Sequence, residues 1–133
     1  MEYKTASDKD QLVQLVLDYC EEAGITSDKK SVEATVDFQL KNSIVYVAID
    51  ENKVVGVISF IIITNPFNKN EKLGRKTNSY VKPEYRQQGV GYKLLALAEA
   101  HCKANSCTKF FYSGTAQPKD YKIFEIDYVK ELN

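Results

Sequence analysis

Apolar residues recur along this chain with two periods, and the switch between them outlines the fold. Leu12, Val13, Leu15, Val16, Tyr19 and Cys20 return at helical spacing. Ser7 or Asp8 stands before them as an N-cap and Gly24 after them as a stop. A second helix is expected from Ser27 or Asp28, carrying Val32, Val36, Phe38, Gln39 and Leu40. The pattern then turns β-like. "SIVYVAIDENKVVGVISFIIIT" reads as a hairpin, with two runs rich in Val, Ile, Tyr and Phe around the turn Asp50-Glu51-Asn52-Lys53. Residues 3 to 6 fit a short first strand. "NPFNKNEKLGRK", residues 65 to 76, has the Pro, Gly and Asn content of a polar loop. "TNSYV" follows as a strand that Pro83 cannot extend.

A helix from about Gly89 to Ala104 is the best periodic segment. Val90, Leu94, Leu97, Ala98, His101 and Cys102 share one of its faces. "TKFFYSG" reads as a strand, "PKDYKIFEI" as a short helix opened by Pro118, and "DYVKELN" as a closing strand. The expected order is β-α-α-β-β-β-α-β-α-β, a mixed α/β domain spanning residues 1 to 133.

Composition narrows the function classes. The 133 residues are 44% apolar and 27% charged, as in an ordinary globular domain with a sizeable core. Lysine plus arginine equals aspartate plus glutamate, 18 against 18, which argues against binding nucleic acid through bulk charge. The longest apolar run, Val54 to Ile63, is far short of the ~20 residues of a membrane span. The polar start "MEYKTASDKD" lacks the apolar segment of a signal peptide. Cys20, Cys102 and Cys107 are an odd set without metal spacing. They suit a reducing cytoplasm, and no metal site is expected.

The chemistry concentrates in "YVKPEYRQQGVGYKLL", residues 80 to 95. A helix N-terminus leaves about four N–H groups without intrahelical partners, and the helix dipole adds about half a positive charge there. Gly89 and Gly91 let a ligand approach the backbone, and Arg86 and Lys93 add cationic character. Strand, glycine turn and amphipathic helix in this order point to an anion site. Two other phosphate loops are excluded by their spacing. Gly91 is followed by Tyr92 and Lys93 rather than Lys-Ser/Thr, and the third glycine of a dinucleotide fingerprint would fall on Leu94.

Val81-Lys82-Pro83-Glu84-Tyr85-Arg86-Gln87-Gln88-Gly89-Val90-Gly91 resembles the Val-x-Pro-x-x-Arg-x-x-Gly-x-Gly/Ala motif of the GNAT acetyltransferase superfamily. The order of elements is similar to that family over nearly the whole chain. The resemblance implies a mostly antiparallel sheet of about six strands flanked by about four helices. It also implies that acetyl-coenzyme A is the co-substrate. Its pyrophosphate would lie on the turn formed by Arg86, Gln87, Gln88, Gly89, Val90, Gly91, Tyr92 and Lys93. Val81 would contact the pantetheine arm where its strand splays from residues 109 to 113. The implied reaction is direct attack on the thioester by an amine-bearing acceptor, a small molecule or a protein. Main-chain donors near Val81 would steady the oxyanion. A homodimer is left open.

The catalytic residues of such a site are less clearly marked. The family often has Asn-x-x-Ala-x-x-x-Tyr before its final strands. Here Gln117 takes the asparagine position and Phe124 the tyrosine position, and phenylalanine cannot donate a proton. Tyr121, one helical turn earlier, is the candidate donor. "TNSYV" contains no carboxylate to act as base, although Asn78 or Ser79 could position water. Glu84 reads as solvated and His101 as packed. Glu33 and Asp37, four apart, could attract a cationic amine, or simply form a solvated helix face. The family usually has one more strand than this chain provides. These departures define an alternative: a GNAT-like binding or structural module without turnover.

Overall fold

The computed structural model describes residues 1–114 and 116–132. In chain order its elements are β1 (Glu2–Thr5), α1 (Lys9–Ala23), α2 (Lys29–Asn42), β2 (Ile44–Asp50), β3 (Lys53–Asn65), β4 (Asn68–Val81), a 3-10 turn (Pro83–Tyr85), α3 (Val90–Ala104) and β5 (Cys107–Phe111). The strands form one sheet in the order β1-β2-β3-β4-β5. Every pairing is antiparallel except β4 with β5, which is parallel.

Alternation along the central strands builds two cores. Val45, Val47 and Val57 pack against Leu12, Val13 and Leu15 of α1 and Val32 and Val36 of α2. Ala48, Ile58 and Phe60 pack against Val90, Leu94, Leu95, Ala98 and Cys102 of α3. The sheet thus lies between the α1–α2 pair and α3, and burial of these side chains supplies most of the driving force for folding. His101 is part of this packing: its Nδ1 lies 3.0 Å from the Tyr46 hydroxyl, and its ring meets Phe60 edge to face.

The polar stretch at 65 to 76 is a hairpin rather than a loop. Ile61, Ile62 and Ile63 pair with Arg75, Gly74 and Leu73, and the chain reverses between Asn65 and Asn68. The Asn65 side chain holds the reversal by accepting from Phe67 N–H and donating to Glu71. Gly74 is there because α3 passes close: a Cβ on it would stand 2.5 Å from Cys102 Sγ.

The region after β5 also differs from expectation. No helix forms at residues 118 to 126 and no strand at residues 127 to 132. The described residues therefore hold five strands and three α-helices instead of about six and four. Asp120 adopts φ 68°, a left-handed conformation that stops a right-handed helix after a single turn from Pro118. Phe124, Ile126, Tyr128 and Val129 stay exposed, so no neighbouring layer holds a strand there. Phe38, on the expected apolar face of α2, is also exposed.

β4 is irregular past its midpoint. Ser59 pairs with Asn78 but Phe60 pairs with Lys76, so Thr77 is an extra residue. Ser59 is fully buried, and its hydroxyl lies 2.6 Å from Thr77 Oγ1 and donates to Asn78 Oδ1. Such a bulge bends its strand and increases its twist. Ser59→Ala should destabilise the protein by about 1 kcal/mol in urea denaturation, since it removes the bonds that fix the bulge. Phe60→Ala should cost about 3–5 kcal/mol in the same measurement.

Candidate functional site

The three helices begin in two different ways. α1 and α2 are capped by aspartates. Asp8 accepts from Gln11 N–H at 3.1 Å and Asp28 from Ser31 N–H at 2.8 Å. Those backbone bonds hold both carboxyls below the usual aspartate range. α3 is capped by Gly89, which has no side chain to accept a bond, and its first turn carries no acidic residue. The first helical bond at this end runs from Lys93 N–H to Gly89 C=O, at 3.0 Å. The N–H groups of Val90, Gly91 and Tyr92 precede it and have no intrahelical acceptor. Gln87 and Gly89 take φ values of 63° and 82°, which turn the chain sharply into the helix. A Cβ on Gly89 would meet nothing within 4 Å, so the space in front of it is open.

This helix end faces a cleft made by the sheet itself. β4 and β5 pair from Lys72 with Cys107 to Arg75 with Phe111 and then part. The bulge at Thr77 lies just beyond the last pair. From there to Val81, β4 has β3 on one side and no strand on the other among the described residues. The opening is a cleft of about 420 Å³, with Ser79, Tyr80 and Val81 on one wall and Tyr112 and Gln117 on the other. Gly89, Gly91 and Tyr92 close one end.

Comparison with known proteins bears on the family and the fold. The family model described as "Acetyltransferase (GNAT) family" matches residues 10–123. This chain belongs to the GNAT acetyltransferase family. No curated protein sequence matches it. Solved structures of low identity share the fold. A GNAT family acetyltransferase of Staphylococcus aureus is 19% identical, with a TM-score of 0.76 and coverage of 98% of each chain. A predicted acetyltransferase of Clostridium acetobutylicum, solved with acetyl-CoA, is 19% identical, with a TM-score of 0.70 and coverage of 95% of each chain. The ribosomal-protein-alanine N-acetyltransferase of Brucella melitensis is 14% identical, with a TM-score of 0.71, covering 96% of this chain and 98% of its own.

Of the nine motif residues expected at a GNAT cofactor turn, Val81, Arg86, Gln87, Gly89, Gly91 and Tyr92 line the cleft. Val90 turns its side chain into the core and offers only backbone. Gln88 donates to the Glu84 carbonyl at 2.9 Å, and the Lys93 ammonium lies 5.9 Å from the centre of the Tyr3 ring. Neither side chain lines the cleft. Arg86 lines it but is already engaged: both terminal nitrogens donate to Glu22 at 2.7 Å, and Nε donates to the Val81 carbonyl at 3.0 Å. Glu22 also accepts from the Tyr80 hydroxyl at 2.8 Å. Arg86 first and Tyr80 second hold the Glu22 carboxyl below its usual range. Burial and then Glu22 push the Tyr80 phenol up to about 12.

The catalytic candidates separate. Tyr121 lines the neighbouring pocket beneath residues 122 to 127, and its hydroxyl donates to Glu99 of α3. Burial, followed by that bond, raises its pKa far above the ordinary tyrosine value. The Phe124 ring lies 5.1 Å from the Phe111 ring, tilted by 57°, outside the cleft. Asn78 is held by Ser59, while Ser79 lines the cleft. Tyr112 lines both cavities and stands where the strands part. It belongs to the segment expected opposite Val81, but its aromatic neighbours Phe110 and Phe111 concealed which ring would face inward. Glu22 had no signal in the sequence, lying 64 residues from its partner Arg86.

The open helix end makes a testable electrostatic statement. At Gly91 a Cβ would come no closer than 3.9 Å to Val81, so a side chain fits. Gly91→Asp should raise stability by about 0.5–1 kcal/mol in urea denaturation, through better helix propensity and a carboxylate at the positive end of the dipole.

Proposed function

We propose that the chain binds acetyl-coenzyme A in the β4–β5 cleft and transfers its acetyl group to a primary amine, on a small molecule or a protein, by direct attack. The observation that carries this reading is the pairing of an uncapped helix N-terminus with a strand whose cleft-side backbone has no partner strand. The first suits a pyrophosphate, and the second suits the amides of a pantetheine arm. Acetyl-coenzyme A supplies a thioester carbonyl that an amine can attack.

The residues take separate roles. Backbone N–H groups at Val90, Gly91 and Tyr92 hold the diphosphate. β4 from Ser79 to Val81 aligns the arm and presents main-chain donors toward the thioester oxygen. Among the described residues lining the cleft, Ser79 has no histidine or lysine with it to activate its hydroxyl, and there is no cysteine, which fits transfer without a covalent enzyme intermediate. Tyr112 is the proton donor that the cleft offers to a departing thiolate. Tyr121, tied to Glu99, supports the wall behind it.

One observation favours a second reading, in which the domain binds coenzyme A or a protein partner without turnover. The described lining contains no carboxylate to act as a base. An acceptor that arrives as the free amine removes that requirement, and an acceptor that arrives protonated does not. Acetyl-coenzyme A should raise the melting temperature and give saturable heat in calorimetry. Gly91→Asp should weaken binding at least about 30-fold while remaining folded. Coenzyme A release should appear with at least one member of an amine and peptide panel. Tyr112→Phe should lower kcat about 100-fold with cofactor affinity unchanged, and Tyr121→Phe should change it little. Binding without release across the panel supports the second reading, and absence of binding overturns the first and leaves only the protein partner of the second.

A further inference from the structure

The arginine of the glycine turn is one of two side chains, with Lys93, that the sequence offers as cationic character beside the anion, and the structure gives it another partner. Its guanidinium forms a bidentate pair with Glu22, both N–O distances being 2.7 Å. The remaining Nε–H closes onto the Val81 carbonyl. The guanidinium carbon lies 5.5 Å from the centre of the Tyr80 ring, whose hydroxyl also ends on Glu22. One carboxylate at the end of α1 therefore fixes the phosphate turn, the last residues of β4 and the Tyr80 ring together. The fork geometry makes this pair more directional than an ordinary surface ion pair.

Glu22 is also well placed to keep Arg86. It sits in the last turn of α1, which contains no basic residue. A helix C-terminus carries a partial negative charge, and a cation there is favourable. Arg86 supplies that cation from a different element. A second tether acts on the other side of the turn, where the Tyr85 hydroxyl donates to Asp50 at 2.7 Å.

We propose that Glu22 is a positioning residue for cofactor binding: through Arg86 it holds the turn of residues 86 to 92 in its anion-binding shape, and Arg86 is a latch rather than a phosphate ligand. This rests on the proposed use of the cleft for coenzyme A. It adds that α1 and the phosphate turn form one unit, so the helix pair and the cofactor end are mechanically joined.

The test compares Glu22→Gln with Glu21→Gln, a neighbouring α1 carboxylate outside the network. Coenzyme A affinity is measured by calorimetry at two salt concentrations. Exchange of the hydrogen-bonded amides of Tyr85, Arg86 and Lys93 is measured in the ligand-free protein. The latch predicts that Glu22→Gln weakens coenzyme A about tenfold, speeds exchange at those amides about tenfold and leaves kcat at saturating acetyl-coenzyme A near wild type. Glu21→Gln should match wild type. Arg86→Gln should reproduce Glu22→Gln, and the double variant should be no worse than either alone. Tighter coenzyme A binding in Glu22→Gln, with a steeper salt dependence, would overturn the proposal, because it would mean that Arg86 had been freed to meet the phosphate. Unchanged exchange would overturn it as well. If the wild-type protein bound no coenzyme A, the functional reading would fail, and the exchange experiment would still decide the latch.

Discussion

A single extra residue in β4 governs the site. Thr77 has no counterpart on β3, so the strand bends just after its last pairing with β5. Without that bend, β4 and β5 would continue as neighbours and satisfy each other's backbone. With it, a strand that is anchored on one side shows the other to a cleft. An unpaired strand edge readily bonds another backbone-like chain, so the gap is suited to an extended molecule that carries its own amides. The buried Ser59 hydroxyl, between Thr77 and Asn78, is what the core contributes to keeping the strand bent.

Charge in this region is divided between two kinds of donor. Backbone amides at the start of α3 face the cleft without competition from a capping side chain. The nearby guanidinium faces a carboxylate. Side-chain cations would attract many anions, whereas a fixed set of N–H groups beside a shaped cleft selects by geometry. Here the amides border the cleft, while the full charges pair with one another.

Much of this was legible in the sequence, and the failures have physical causes. Asp8, Gly24 and Asp28 marked helix ends because capping is a local interaction that a few neighbouring residues decide. The motif from Val81 to Gly91 was legible for the same reason. The hairpin at 65 to 76 was hidden because its returning strand begins with polar residues that stay exposed, while Gly74, which looks like loop punctuation, answers to α3 through space. Pro118 suggested the start of a helix through Tyr121, but Asp120 adopts a left-handed conformation that composition does not reveal. Glu22 and Tyr112 gave no signal because the bond to Arg86 and the place beside the cleft exist only once the sheet is assembled.

Tyr80 and Val81 are adjacent on β4 and point to opposite faces of the sheet. Tyr80 packs toward the core shared with α1 and α2, and Val81 toward the one beneath α3. Glu22 and Arg86 then join the first face to the turn that succeeds the second. The familiar glycine-rich segment is therefore not a portable cassette. Moved to another scaffold, residues 80 to 91 would bring an arginine adapted to the end of a specific helix. Without a carboxylate waiting there, the transplanted loop would keep its letters and lose its posture.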